Sequence, residues 1–182
     1  MEFVQPIRSR EKIAEIKNIL AKSNTRDLLL FVMGINSGLR ISDLIALKVK
    51  DVRSKTHIEI VEIKTQKDKC FIITPTISKI LYPYIENMAD DEYLFQSRNG
   101  QNLPITRIQA YRIINSATKK AGITDKIGTH TLRKTFGYHH YSENKDVAIL
   151  QTIFNHSSPS ITLKYIGITQ DEIDKSYSNF SL

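Results

Sequence analysis

Apolar residues in the first part of the chain recur at the spacing of amphipathic helices. Ser9 can cap a first helix whose apolar residues lie three or four positions apart: Ile13, Ile16, Ile19 and Leu20. Thr25 can cap a second helix with a largely apolar interior. Gly34 and Gly38 are expected to interrupt the helical pattern, which resumes as a short helix over residues 42–47.

Between residues 49 and 73 the pattern changes to that of β-strands. Apolar residues, most of them β-branched, predict two strands: Ile58, Ile60, Val61 and Ile63, then Phe71, Ile72 and Ile73. The polar segment between them, residues 65–69, predicts a hairpin turn, and Pro75 ends the sheet.

The rest of the chain is predicted to be helical. Helices are expected over residues 76–87, 106–121, 130–141, 146–154 and 160–166, with Gly122 closing the second of them. Thr169 and Glu172 form a capping-box pattern for a last short helix that ends at Tyr177. Many helices with one small antiparallel sheet predict an α+β fold, and the length predicts a single domain, residues 1–182.

The chain carries an excess of basic residues. Its 26 Lys and Arg against 19 Asp and Glu give a formal net charge of +7, which favours a polyanionic partner. This charge alone does not separate nucleic-acid binders from other basic proteins. No apolar run approaches the ~20 residues needed to span a bilayer, and no leader pattern opens the chain, so a cytoplasmic protein without a membrane partner is expected.

The sequence predicts neither a disulfide nor a cofactor. The single cysteine, Cys70, excludes an intrachain disulfide, and its apolar neighbours predict that it is buried in the core. The adjacent His139 and His140 point to different faces of a helix, and no cluster of cysteines or carboxylates completes a metal site. No G-x-x-x-x-G-K-[ST] motif is present, so nucleotide binding is not expected either.

Six residues that can act on a phosphodiester follow one another along the chain: Arg40, Lys64, His130, Arg133, His156 and Tyr165. Most of them lie in three blocks. The first block reads G-I-N-S-G-L-R-I-S-D-L, the second H-T-L-R-K-T-F, and the third F-N-H-S-S, with Tyr165 nine residues after His156. Arginines, histidines, a lysine and a tyrosine are what a protein needs to break a phosphodiester through a covalent tyrosine without a metal.

The three blocks resemble those of the tyrosine recombinase (phage integrase) family, which read T-G-L-R-x-[ST]-E-[LI], H-x-L-R-[HK]-[TS]-[FA] and L-G-H-[SA]-S. Asn155 replaces the family's usual glycine, and only local backbone consequences are expected from it. The resemblance runs from about Pro6 to the C-terminus. It implies the family's catalytic-domain fold and double-stranded DNA as the substrate. Family members usually carry a helical DNA-clamping domain before this part, and that domain is expected to be absent because few residues precede the first predicted helix.

The resemblance and the side-chain chemistry together give each residue an expected role. Arg40 and Arg133 would hold the non-bridging oxygens of the attacked phosphate, where negative charge grows. Tyr165 would attack the phosphorus, leaving a 3′-phosphotyrosine and a free 5′-hydroxyl. His130 would act as general base or acid beside the tyrosine, and His156 would donate a hydrogen bond to a phosphate oxygen.

Two assignments keep alternatives. Lys64 is the expected general acid for the leaving 5′-oxygen, but Lys67 and Lys69 lie in the same predicted turn and could serve instead. Asp43 is expected to orient a histidine or an arginine, as the family's acidic residue does. A favourable charge at a helix N-terminus explains Asp43 equally well.

The sequence therefore predicts the catalytic domain of a DNA recombinase or integrase of a mobile or phage element, acting without metal or nucleotide. Two rival functions remain open, an accessory DNA-binding module and a nicking-closing activity like that of type IB topoisomerases. The last helix carries Ile173, Tyr177 and Phe180 along one side, and is expected to dock on a second protomer when a dimer or tetramer assembles on DNA.

Overall fold

Eight α-helices and one two-stranded antiparallel sheet make up the part of the chain described by this computed structural model, residues 4–168 and 177–180. The helices are α1 Arg10–Ala21, α2 Thr25–Ser37, α3 Ile41–Ile45, α4 Pro75–Ile85, α5 Arg107–Lys120, α6 Thr131–Asn144, α7 Val147–Phe154 and α8 Pro159–Ile166. The strands are β1 His57–Val61 and β2 Asp68–Ile72, and a 3-10 turn covers Val49–Asp51. The predicted α+β layout is confirmed.

Helix α2 lies at the centre of the helical packing, where it contacts α1, α4 and α6. Its N-cap is Asn24, whose side chain accepts a hydrogen bond from the Arg26 amide, so the prediction of Thr25 as the cap was wrong by one residue. The helix also continues through Gly34 and ends at Gly38, which has a left-handed φ of 63°. A Cβ at Gly34 would clash with Cδ1 of Leu132, so this glycine permits the close approach of α6 instead of breaking the helix.

The hairpin pairs His57 with Ile72 and Val61 with Asp68, and residues 62–67 form the turn. The turn thus begins and ends earlier than predicted. Because side chains alternate across a strand, Lys69 faces inward opposite Ile60, whereas Cys70 faces outward. Cys70 is exposed, and the prediction that it lies in the core was wrong.

Two apolar clusters form the interior. The main core joins α1–α5 and the inward face of the hairpin, with Leu29, Phe31, Leu44, Ile58 and Phe95 among its fully buried residues. A smaller cluster joins α6, α7 and α8 through Leu150, Phe154 and Ile166, with Phe136 and Tyr165 packed against it. Tyr165 is thereby placed at the edge of a packed unit, close to the main core.

The predicted last helix falls mostly on residues 169–176, which lie outside the described part of the chain, as does the Thr169 and Glu172 capping pattern. Tyr177 and Phe180 are described and exposed. Within residues 4–168 and 177–180, no helix is long and apolar enough to cross a membrane.

Candidate active site

The hydroxyl of Tyr165 meets two of the residues selected from the sequence. Helix α8 carries the tyrosine, and the N-cap of α6, His130, places its Nδ1 atom 3.2 Å from the phenol oxygen. Burial raises the pKa of Tyr165, and this outweighs the opposing charges of Arg133 and Arg40 and a hydrogen bond from Arg133. The phenol therefore stays protonated without substrate, and its activation needs a base and a nearby phosphate.

His130 is suited to accept that proton. Desolvation lowers its pKa, and the positive charges of Arg133, Lys134, Lys64 and Arg40 lower it further. A lowered pKa keeps the imidazole neutral near pH 7, and only a neutral imidazole has a free lone pair to act as a base.

Arg133 is buried, and backbone carbonyls from two other parts of the chain accept hydrogen bonds from its guanidinium. Its Nη1 donates to the carbonyl of Gly38, and its Nη2 donates to the carbonyl of Phe154 at 2.9 Å. The guanidinium also lies over the Phe154 ring, 4.4 Å from its centroid. Since a guanidinium has five N–H donors, two can be anchored in this way while others remain for the phenol and a phosphate.

Arg40 enters the site from the N-cap of α3, immediately after the left-handed turn at Gly38 and the buried Leu39. Its side chain is 16% exposed, and Nη1 lies 2.7 Å from Oε2 of Glu62. The two arginines therefore come from α2–α3 and α6 and meet at one carboxylate.

Glu62 is the most important residue that the sequence reasoning missed. Its side chain is fully buried and accepts a hydrogen bond from the Thr65 hydroxyl at 2.6 Å, in addition to the pair with Arg40. Lys69 and Arg133 each lie 3.9 Å from its other oxygen. Burial raises the pKa of Glu62, but the contacts with Arg40 and Thr65 lower it by more, so the carboxylate stays ionised. The sequence could have revealed this residue, because Glu62 continues the series of alternate, inward-facing side chains that begins at Ile58.

Asn155 adds a further contact to this carboxylate. Its φ of 52° is left-handed, which an asparagine tolerates better than most residues and which explains why a glycine also fits. Its Nδ2 donates to Oε2 of Glu62 at 3.3 Å. The expectation of purely local backbone consequences was therefore wrong, because the side chain reaches across to the hairpin.

The lysines of the hairpin lie in different environments. Lys64 and Lys67 are exposed in the turn, whereas the side chain of Lys69 is 7% exposed and its Nζ donates to the carbonyl of Ile153 at 3.0 Å. Burial, and then the charge of Arg133, lower the pKa of Lys69 to about 8. The charge of Lys64 still reaches the site, since it contributes to the lowered pKa of His130.

Asp43 and His156 complete the set. Asp43 is buried and its Oδ1 accepts from the Ile63 amide at 2.9 Å, so its hydrogen bond positions the backbone beside Lys64, not a histidine or arginine as expected. Burial lowers the pKa of Arg133, and the negative charge of Asp43 opposes a small part of that shift. His156 places Nδ1 3.0 Å from the Thr162 hydroxyl and packs its ring against Tyr165, with 5.1 Å between the ring centroids.

The structure thus brings five of the six sequence-selected residues together in one positively charged cluster and leaves Lys64 exposed at its edge. The adjacent histidines serve other purposes: Nε2 of His139 lies 2.9 Å from the Ile7 carbonyl, and His140 packs against Phe136. This arrangement can bind an anion next to a tyrosine hydroxyl.

Solved structures show which class of protein has this fold. A crystal structure of XerA recombinase superimposes with a TM-score of 0.79 at 24% identity, covering 98% of this chain and 64% of that chain. The pre-cleavage complex of XerH site-specific recombinase bound to difH superimposes with a TM-score of 0.73 at 19% identity, covering 99% of this chain and 56% of that one. The fold is that of tyrosine recombinase catalytic domains.

Sequence comparison shows the family. The profile of the phage integrase family matches residues 10–172, and the chain belongs to this family of tyrosine recombinases. It is 52% identical over 180 residues to "Probable integrase/recombinase YoeC" of Bacillus subtilis (strain 168), covering 99% of this chain and 98% of that protein. It is 30% identical to a tyrosine recombinase of Pseudothermotoga lettingae, covering 87% of this chain but only 56% of the relative's length.

Proposed function

We propose that this domain cleaves and rejoins double-stranded DNA through a covalent bond between Tyr165 and a 3′-phosphate. The observation that carries the proposal is the position of the Tyr165 hydroxyl, 3.2 Å from a histidine nitrogen and near enough to the guanidinium of Arg133 for that positive charge to lower the pKa of the phenol. A tyrosine used only for packing does not need both a base and a guanidinium at its oxygen.

Each atom of the reaction has a group to serve it. The phenol oxygen of Tyr165 attacks phosphorus while His130 takes its proton, and the bond from phosphorus to the 5′-oxygen breaks. Arg40 and Arg133 bind the non-bridging oxygens as their charge grows, and His156 donates to one of them. Lys64 gives a proton to the departing 5′-oxygen. Attack of a 5′-hydroxyl on the phosphotyrosine reverses these steps, so joining needs no nucleotide.

Charge and resemblance support DNA as the substrate. The net charge of +7 suits a polyanion, and the pocket holds the cations Arg40, Arg133 and Lys69 against the carboxylates of Glu62 and Asp43. Among proteins of the same fold, XerH binds difH and the Tn1549 integrase binds transposon right end DNA. Because the proposed substrate is DNA, we also propose that the protein acts in the cytoplasm. We propose that its reaction moves a phage or other mobile element, since a transposon integrase has the same fold.

Self-assembly on DNA through the C-terminal segment belongs to the same proposal. Tyr177 and Phe180 are 76% and 70% exposed, which is unusual for large apolar side chains and suits docking on a second copy. A lambda integrase with this fold forms a dimer on its core site. Deletion of the residues after Gly167 is expected to abolish assembly on DNA, measured by native gel shift, and unchanged assembly would contradict this part of the proposal.

The direct test is covalent trapping on nicked duplexes taken from the DNA that flanks the gene, in which the leaving strand diffuses away after cleavage. The wild-type protein should form an adduct on a denaturing gel, Tyr165→Phe should not, and Tyr177→Phe, which removes an exposed phenol, should form it normally. Salt-sensitive binding without an adduct would favour an accessory DNA-binding module instead. Adduct formation with plasmid relaxation but no recombinant product would favour a topoisomerase-like activity.

A further inference from the structure

A short segment at the start of the described chain is fastened to the N-terminal half of α6. This segment, residues 4–8, is called the strap below. The Ile7 amide donates to the Thr135 hydroxyl at 2.9 Å, and the Ile7 carbonyl lies 2.9 Å from Nε2 of His139. The Gln5 amide donates to the carbonyl of Lys126 at 2.9 Å, in the loop that precedes α6. Ile7 thus joins the strap to α6, the helix that carries Arg133, and Gln5 joins it to the loop before that helix.

The strap also reaches the end of α8. Nη2 of Arg8 donates to the carbonyl of Gly167 at 3.3 Å, and its guanidinium lies over the ring of Tyr138, 5.6 Å from the centroid. Gly167 is the C-cap of α8, two residues after Tyr165. Arg8 therefore ties the end of the tyrosine-bearing helix to α6.

Lys134 connects the strap with Tyr165 itself. Its side chain is nearly buried, Nζ donates to the carbonyl of Val4 at 2.9 Å, and the same ammonium lies 5.3 Å from the centroid of the Tyr165 ring. A buried lysine loses hydration free energy, and the carbonyl and the π-face each return part of it. None of the catalytic steps described above uses Lys134.

We propose that Lys134 is a positioning residue for Tyr165 and that the strap holds Lys134 in place. Nδ1 of His130 contacts the hydroxyl of the tyrosine, and the ammonium of Lys134 lies over the face of its ring. Fixing both the oxygen and the ring plane restricts the side-chain torsions and keeps the oxygen aimed at the phosphate. In-line attack is sensitive to displacements of about 1 Å, so loss of this support slows the covalent step.

This inference rests on the proposed function for its catalytic readout, but the position of Tyr165 can be measured without DNA. Protein labelled with 3-fluorotyrosine gives one fluorine resonance per tyrosine, and the resonance of residue 165 is assigned by its loss in Tyr165→Phe. The variants to compare are Lys134→Met, which removes the charge at nearly constant volume, and Lys134→Arg, which restores a cation. Lys145→Met is the matched control, since Lys145 also lies 5.3 Å from a ring centroid, that of Tyr141.

We expect Lys134→Met to shift the resonance of residue 165 and its titration midpoint, and to slow single-turnover adduct formation about tenfold at unchanged DNA affinity. Lys134→Arg should largely restore the fluorine resonance of residue 165, its titration midpoint and the rate of adduct formation. Lys145→Met should leave all three at the wild-type values. An unchanged resonance and titration in folded Lys134→Met would overturn the inference. Absence of an adduct from the wild-type protein would instead contradict the proposed function. The fluorine resonance of residue 165 would then still decide whether Lys134 positions the tyrosine.

A second pair of variants tests the strap and covers the case in which Lys134→Met fails to fold. Deletion of residues 1–5 removes the Val4 carbonyl, whereas Val4→Ala keeps it. The deletion is expected to reproduce the shifted resonance of residue 165 and the slower cleavage, and Val4→Ala to stay within twofold of wild type. If the deletion and Val4→Ala gave the same resonance of residue 165 and the same cleavage rate, the proposed role of the strap would be wrong.

Discussion

The carboxylate of Glu62 lies 2.7 Å from the guanidinium of Arg40, and this buried pair organises the charges of the site. Lys69 and Arg133 approach the same carboxylate, so three cations face Glu62 and, nearby, Asp43. The cations therefore outnumber the carboxylates before any substrate binds. A phosphate diester supplies further negative charge, so this cluster of cations is suited to bind DNA.

Replacement of Glu62 by glutamine is expected to destabilise the fold. It leaves Arg40 and the buried Arg133 and Lys69 without their shared counter-ion, and breaking a buried ion pair typically costs about 3 kcal/mol. Urea unfolding monitored by circular dichroism measures the free energy of unfolding. Glu59→Gln is the matched control in the adjoining strand β1, where the side chain is exposed, and it should change the free energy of unfolding by less than about 0.5 kcal/mol. Equal effects of the two substitutions would show that Glu62 is not a structural counter-ion.

Lys69 is expected to take up a proton when DNA binds at alkaline pH. Its pKa is about 8 in the free protein because of burial and the charge of Arg133, below the ordinary value of 10.5. Below pH 8 Lys69 is already protonated, and above it the free protein has lost this proton. A bound phosphate stabilises the charged form of Lys69 and raises its pKa again. As the pH increases from 8 to 9, the number of protons taken up on DNA binding should therefore rise and the affinity for DNA should fall.

Calorimetry in buffers of different ionisation enthalpy, on a Tyr165→Phe background with the duplex found by trapping, counts the protons taken up. Lys69→Met should abolish the uptake, while Lys67→Met, an exposed lysine in the adjoining turn, should retain it. Uptake that persists in Lys69→Met would assign the proton to another group.

Lys64 and Lys69 are expected to differ in how they respond to a changed leaving group. If Lys64 protonates the 5′-oxygen, Lys64→Met slows cleavage by about 100-fold or more on ordinary DNA. A duplex with sulfur in place of that bridging oxygen has a leaving group that needs no proton, so it should restore the rate. Lys69→Met removes positive charge from the phosphate pocket, and sulfur should not rescue it. Rescue of Lys69→Met but not of Lys64→Met would reverse the two roles.

The Asn155 side chain is expected to contribute through Glu62 and through its backbone conformation. Asn155→Gly accepts the φ of 52° but loses the 3.3 Å hydrogen bond to Glu62, whereas Asn155→Ala loses the bond and is also strained. The free energy of unfolding should therefore be lowest for Asn155→Ala, about 1 kcal/mol below that of Asn155→Gly. When Glu62 is already replaced by glutamine, Asn155→Gly should lower the free energy of unfolding by less than it does in the wild-type protein. An equal decrease in the two backgrounds would contradict a contribution from this contact.

The sequence predicted the helices well, because their amphipathic spacing and caps are local properties. Ser9 caps α1 as expected, and the breaks at Gly38 and Gly122 follow from their left-handed backbone. Gly34 was misread because its role, the contact with Leu132, comes from a helix about a hundred residues away. A glycine that permits close packing and a glycine that breaks a helix look alike in one sequence.

The candidate site was predictable where motif spacing carried the information, as for His130, Arg133 and Tyr165. Glu62 was missed, and Lys69 was placed in the turn as one of three candidate lysines, because the environment of both residues depends on where the hairpin turn begins and ends. A shift of one residue in a strand moves every side chain to the opposite face. Cys70 was misplaced because its apolar neighbours do not show which face of β2 it occupies. The partners of Glu62 also come from four separate parts of the chain, which no local pattern reveals.

Tyr165 is expected to become covalently attached to a DNA 3′-phosphate. The most direct measurement is mass spectrometry of the trapped adduct after digestion with trypsin and nuclease. We expect the nucleotide mass on the peptide that contains Tyr165, linked through a 3′-phosphate, with a free 5′-hydroxyl on the released strand. A nucleotide attached to any other residue, or a 5′-phosphate linkage, would contradict the account.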